Sequence, residues 1–139
     1  MTRAQFIDWL AGYERAWRTP GTDVLAELFA EDAAYSTAPY ENPHRGLEEI
    51  AQMWEAERFG PDEGFQMISE VVAIEDDTGV ARVSVQYKEA TDRKRRLHRQ
   101  QKEYRDLWIV QLDETGLCSH FEEWPFWPPD QEGAPAAGA

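Results

Sequence analysis

Side chains able to move a proton, attack a carbon or hold a metal are few in this chain, and most are scattered. The histidines His44, His98 and His120 lie far apart. None has the close spacing of a zinc or iron site, so no metal is expected. Cys118 is the single cysteine and has no base beside it in sequence, which fits a small buried hydrophobe better than a nucleophile. The chain has no glycine-rich phosphate loop and no nucleophile elbow. Carboxylates remain. Along Glu103 to Leu112, alternation puts Tyr104, Asp106 and Trp108 on one face and Arg105, Leu107 and Ile109 on the other. Farther on, Phe121 and Glu123 share a face, with His120, Glu122 and Trp124 opposite. Because Leu107 and Ile109 are themselves apolar, a bulge would swap the faces. Two carboxylates sharing one apolar space raise a carboxyl pKa by burial and by mutual repulsion, which is a route to proton exchange near neutral pH. The plainer reading leaves each acid bonded to a tyrosine hydroxyl or an indole N–H, or exposed to water.

Such residues need a scaffold. The chain has 139 residues, 42% of them hydrophobic and 12% aromatic, enough for one domain with its own core. Acidic residues number 27 against 14 basic ones, a net charge of −13 that argues against nucleic-acid binding and for a well-repelled cytoplasmic protein. The exception is local: Arg93, Lys94, Arg95, Arg96, Arg99 and Lys102 crowd into one stretch with Asp92 as its only acid. Charged runs of this kind are usually solvated hairpin tips; the sharper alternative is docking to an acidic partner or a sister subunit. A lone cysteine excludes an internal disulfide framework and fits a reducing compartment. No apolar run approaches the roughly 18 residues of a membrane span, so no membrane association is expected. The polar opening residues with Asp8 carry no secretory signal.

Periodicity then places the elements. Phe6, Leu10, Tyr13 and Trp17 form a helical stripe, opened by a Thr2–Gln5 capping box and stopped at Thr19-Pro20-Gly21. A second helix is expected from about Asp23, burying Val24, Leu25, Leu28 and Phe29, followed by a short strand from Ala33 to Thr37. Pro39 to Gly46 reads as a loop, and Leu47, Ile50, Ala51 and Trp54 as a third helix ending at Gly60-Pro61. From Phe65 the period becomes two, with turns at Asp76–Gly79 and Asp113–Gly116 and a last strand from Leu117 to about Phe126. Pro128 to Ala139 reads as a flexible tail. The expected class is α+β: three N-terminal helices packed on a strongly curved, mainly antiparallel sheet that encloses a conical pocket.

Four stretches together resemble the SnoaL-like branch of the nuclear transport factor 2-like superfamily. They are Trp9 to Trp17, Leu25 to Asp32 with Tyr35, Pro43-His44-Arg45-Gly46 opening the third helix, and Asp113–Gly116 leading to Phe121-Glu122-Glu123-Trp124. The resemblance implies one domain over residues 1–127, a cone-shaped barrel, and a homodimer through the outer sheet face. It also implies a pocket lined by Trp17, Tyr35, Trp54, Tyr87, Trp108 and Phe121, with Asp106 and Glu123 turned into it. Tyr13 resembles the phenol that donates to an oxyanion in steroid isomerases of this superfamily; it equally fits a core tyrosine of the helical stripe. Departures are clear. Ser36-Thr37 stand where those isomerases carry their shuttling aspartate, and Trp108 where they carry a second one. Against the Asp-Arg-Asp set of the epoxide hydrolases on this fold, Asp106 and Glu123 match the acids, but Tyr104 takes the arginine position and Arg105 faces away.

The resemblance leaves three functions open. The first is a cofactor-free pocket protein for a small apolar or aromatic ligand. The second is an isomerase, cyclase or hydrolase using Asp106 and Glu123 as acid and base, with Tyr13. The third is a protein-interaction module with an incidental cavity. Fold alone does not choose among them.

Overall fold

The computed structural model describes residues 1–58, 64–87 and 103–129. The basic stretch, His98 and most of the expected tail lie outside the described residues.

The first helix, α1 (Arg3–Arg18), begins as the sequence predicts. Thr2 N–H donates to Gln5 Oε1 at 2.7 Å and Gln5 N–H donates to Thr2 Oγ1 at 3.1 Å, the reciprocal capping box. Its buried stripe is Phe6, Trp9, Leu10, Tyr13 and Ala16. The expected second helix is corrected: Asp23–Glu27 make one short 3-10 turn, and Phe29 already belongs to a strand, β1 (Phe29–Ser36). The physical reason is space. Pro20 and Gly21 break the chain just upstream, and only Leu25 is fully buried within the turn, so there is no room for an amphipathic face. His44–Arg45 form a two-residue strand, β2, instead of loop, and pair with Ala34 and Tyr35. The last helix, α2 (Gly46–Glu57), buries Ile50, Met53 and Trp54. Among the described residues the fold thus has two α-helices where three are expected.

Four long strands follow: β3 (Phe65–Glu75), β4 (Thr78–Tyr87), β5 (Glu103–Leu112) and β6 (Cys118–Phe126). They build a six-stranded sheet in the order β2-β1-β6-β5-β4-β3. Pairing is antiparallel except between β1 and β6, which run parallel because helical and looped segments separate them. Register shifts between Phe29 and Ala34, between Val71 and Ala73, and between Gln111 and Leu112 bend the strands, as bulges do. Alternation on β5 follows the expected phase: Asp106, Trp108, Val110 and Leu112 are buried, whereas Arg105 and Leu107 are exposed. The helices cover that inner face and leave the outer face uncovered.

The core is aromatic. Phe29, Phe121 and Trp54 are fully buried, and Trp9 Nε1 donates to the Leu28 carbonyl at 3.0 Å. The buried Arg58 locks the two helix ends together. Its guanidinium donates to Gly21 O at 3.1 Å and to Ala16 O at 3.2 Å, adding a charged donor to a carbonyl that also accepts from Thr19 N–H. No helix among the described residues is long and apolar enough to cross a membrane.

Candidate functional site

A cavity of about 710 Å³ lies where the ends of α1, α2 and the long strands converge. Trp17 and Tyr13 enter it from α1, Tyr35 from β1, Met53 and Glu57 from α2, and Met67, Val85, Tyr87, Tyr104, Trp108 and Glu123 from the sheet. Thr37 to Glu41 and Trp127 complete the wall. Tyr40, Glu41 and Glu57 are exposed and mark the mouth. Because the strands alternate, each contributes every second residue to this space, which gathers distant residues on one concave surface.

At its inner wall stand the two acids. Trp108 and Glu123 are direct cross-strand partners on β5 and β6, and Asp106 lies one step along the same face, opposite Pro125. Asp106 is 2% exposed and does not line the cavity; it sits behind the wall. Its Oδ2 accepts from Trp108 Nε1 at 3.0 Å, while Oδ1 is buried with no donor among the described residues. Glu123 is held well above the ordinary glutamate range, by burial first, then by the charge of Asp106, by a hydrogen bond that holds its proton against Asp106, and by the charge of Glu57. Asp106 is also raised by burial, but the bonds from Glu123 and Trp108 pull it back. Burial and the Asp106 charge therefore favour the protonated form of Glu123 beside Asp106. Glu123 keeps partial exposure because it faces the cavity.

The second polar feature is a pair of phenols. Tyr13 and Tyr35 hydroxyls are 2.7 Å apart, and the Tyr13 ring packs 4.4 Å from Trp108. Burial holds Tyr13, Tyr35 and Tyr104 well above the usual phenol range, so all three are neutral donors. The structure brings together Tyr13, Trp17, Tyr35, Tyr87, Trp108 and Glu123 as expected from sequence. Two expected wall residues are corrected. Trp54 and Phe121 lie behind the wall, fully buried: Phe121 stacks 4.3 Å from Tyr35, and Trp54 packs at 4.7 Å against Trp17. The rings nearest the cavity cover them. Tyr104, Met53, Met67, Val85 and Glu57 were not on the expected list; Tyr104 and Val85 follow from the same alternation, whereas Glu57 and Met53 depend on how α2 is rotated.

Other candidates stay apart. Cys118 is buried at the other end of β6, its thiol pushed up to about 12 by burial. His120 pairs with Glu122 at 3.4 Å. Among the described residues no three His, Cys, Asp or Glu side chains gather as a metal site requires. Arg105 is exposed on the face opposite Asp106, so no described arginine stands between the two acids.

The sequence profile of the SnoaL-like domain matches residues 10–113, most of the chain. No curated protein matches it in sequence. Among solved structures, it is similar to the epoxide hydrolase/cyclase-like enzyme SalBIII of pyran-ring formation in salinomycin, with TM-score 0.68, 14% identity, and coverage of 96% of this chain and 99% of that one. A protein of unknown function with a cystatin-like fold from Methylobium petroleophilum PM1 gives TM-score 0.68 at 17% identity, covering 100% of this chain and 83% of that one. RV0760c from Mycobacterium tuberculosis gives 0.65 at 11% identity, covering 94% and 96%. At such identities the structural likeness is one of fold. With a matching profile over residues 10–113 and a helix-covered mixed sheet around a cavity, this chain belongs to the SnoaL-like domain family, within the nuclear transport factor 2-like superfamily.

Proposed function

We propose that this protein binds a small, largely apolar or aromatic organic molecule in the cavity. The observation that carries the reading is the hollow itself. About 710 Å³ of space, walled mostly by aromatic and aliphatic side chains with a few convergent polar groups, has the size and lining of a small-molecule site. Native mass spectrometry of the purified protein tests it: a copurifying or added aromatic compound adds its mass to the wild type. Met67→Trp fills the space and abolishes that addition. Binding that survives Met67→Trp unchanged places the ligand elsewhere.

A second reading, a cofactor-independent isomerase, cyclase or hydrolase, is favoured by one further observation: two neighbouring carboxyl groups, Glu123 and the buried Asp106, at an apolar wall, both raised by burial. In this reading Glu123 gives its proton to a substrate oxygen as general acid. The neighbouring Asp106 charge then makes the bare Glu123 carboxylate a strong enough base to take a proton back. With Tyr35 donating to Tyr13, the Tyr13 proton is left to point at the same oxygen. The structural likeness to SalBIII agrees with this chemistry in fold. On any substrate the wild type turns over, Glu123→Gln lowers kcat by about 10²- to 10⁴-fold. An unchanged kcat removes Glu123 from the mechanism.

We also propose that the chain pairs with a second copy through the outer sheet face. Ile68, Leu107, Trp124 and Phe126 are exposed there, and Leu107 lies directly opposite Trp124. Large apolar side chains left uncovered in one area favour an interface.

A further inference from the structure

We propose, resting on the binding reading above, that the ligand class of this cavity is the organic cation: an apolar or aromatic molecule carrying one amine or quaternary ammonium group. No described residue of the wall is Lys, Arg or His, whereas Glu41, Glu57 and Glu123 all contribute to it. Glu41 and Glu57 stand exposed at the mouth, so an approaching cation meets two carboxylates first and the carboxyl group of Glu123 inside. Between them the wall presents the rings of Trp17, Tyr87, Tyr104 and Trp108. Aromatic faces carry negative quadrupole charge and attract ammonium groups, most strongly where water is excluded. A ligand carboxylate would face like charge and the negative ring faces on that same surface.

Glu123 couples this to protons. It is faced by Asp106 and Tyr104 from β5, Tyr13 from α1, Tyr35 from β1 and Glu57 from α2, with Tyr87 of β4 acting on Tyr13 and Tyr104. In the empty cavity its proton lies toward Asp106. An ammonium ion entering beside it replaces that proton: the Glu123 O–H bond breaks, the carboxylate pairs with the ammonium, and one proton passes to solvent. A cation therefore binds tighter as pH rises. A neutral ligand that accepts from Glu123 binds tighter as pH falls.

Three probes with one ring system test this by calorimetry: 1-naphthylmethylamine, 1-naphthalenemethanol and 1-naphthoate. The expected result is an amine affinity about tenfold above that of the alcohol, with naphthoate weakest. Amine affinity should rise as pH climbs from the ordinary glutamate range through the raised Glu123 value, with proton release that is lost in Glu123→Gln. The double variant Glu41→Gln/Glu57→Gln should lower amine affinity roughly three- to tenfold and change alcohol affinity by less. An alcohol that binds as tightly as the amine overturns the charge preference while the binding reading stands. A tighter naphthoate does the same. If none of the probes binds and native mass spectra show no adduct, both readings fall.

Discussion

Glu123 and Asp106 show how a residue's surroundings decide its chemistry. Each is an ordinary acid in water; on neighbouring strands under a layer of rings, burial pushes both upward. The sign of the stability effect follows from the direction of the shift. Glu123 is raised in the folded state, so the fold binds its proton more tightly than the unfolded chain does. That contribution is fully present below the ordinary glutamate range and is lost as pH climbs through the raised value. Chemical denaturation across pH should show wild-type stability declining over that window, and Glu123→Gln should flatten this part of the profile and be the more stable protein at neutral pH. Parallel profiles would contradict it. Cys118 gives a second prediction at this scale. With its thiol near 12 and fully buried, it should resist iodoacetamide at neutral pH in the native protein and react on unfolding, read by intact mass. The shared face of Asp106 and Trp108 was legible in the sequence because a strand has only two faces, but Asp106, expected in the cavity, lies behind its wall. Trp54 and Phe121 were not placed correctly, because periodicity tells inside from outside but not which buried ring stands in front of another.

Among the elements, the long amphipathic and alternating segments were readable, and the failures cluster where local signals are short. Residues 23–29 carry a helical spacing of apolar groups, yet Phe29 pairs with Cys118 across a parallel ladder, and tertiary pairing overrides the weak local preference. The parallel β1–β6 contact has no sequence signature, since it joins segments far apart. Two joints hold the elements around the cavity. Arg58 bonds the end of α1 from just beyond α2, and Arg58→Ala should lower unfolding free energy by about 2–3 kcal/mol, because Ala16 and Gly21 carbonyls lose a charged donor. Gly79, near the start of β4, approaches α1 so closely that a Cβ would stand 2.6 Å from the buried Phe6 ring. Gly79→Ala should therefore cost about 1–3 kcal/mol through overpacking. Denaturant midpoints of the two variants check both; an unchanged midpoint in either would show that its joint carries no strain or bonding of consequence.

At the scale of the whole molecule, helices close one face of the sheet over a hollow and the other face stays open. Leu107→Asp/Phe126→Asp should convert a dimer to a monomer in sedimentation equilibrium, since the charges fall in the exposed apolar area of the outer face. A wild type already monomeric at high concentration would contradict the pairing. The closed face matters more, because binding and proton transfer both need an apolar chamber around Glu123. Site-resolved carboxyl NMR of Glu123 across pH tests this most directly. Its midpoint should lie well above the ordinary glutamate range and fall back when Asp106→Asn removes the neighbouring charge; a midpoint within the ordinary range in the wild type would contradict the chamber and the protonated Glu123 together.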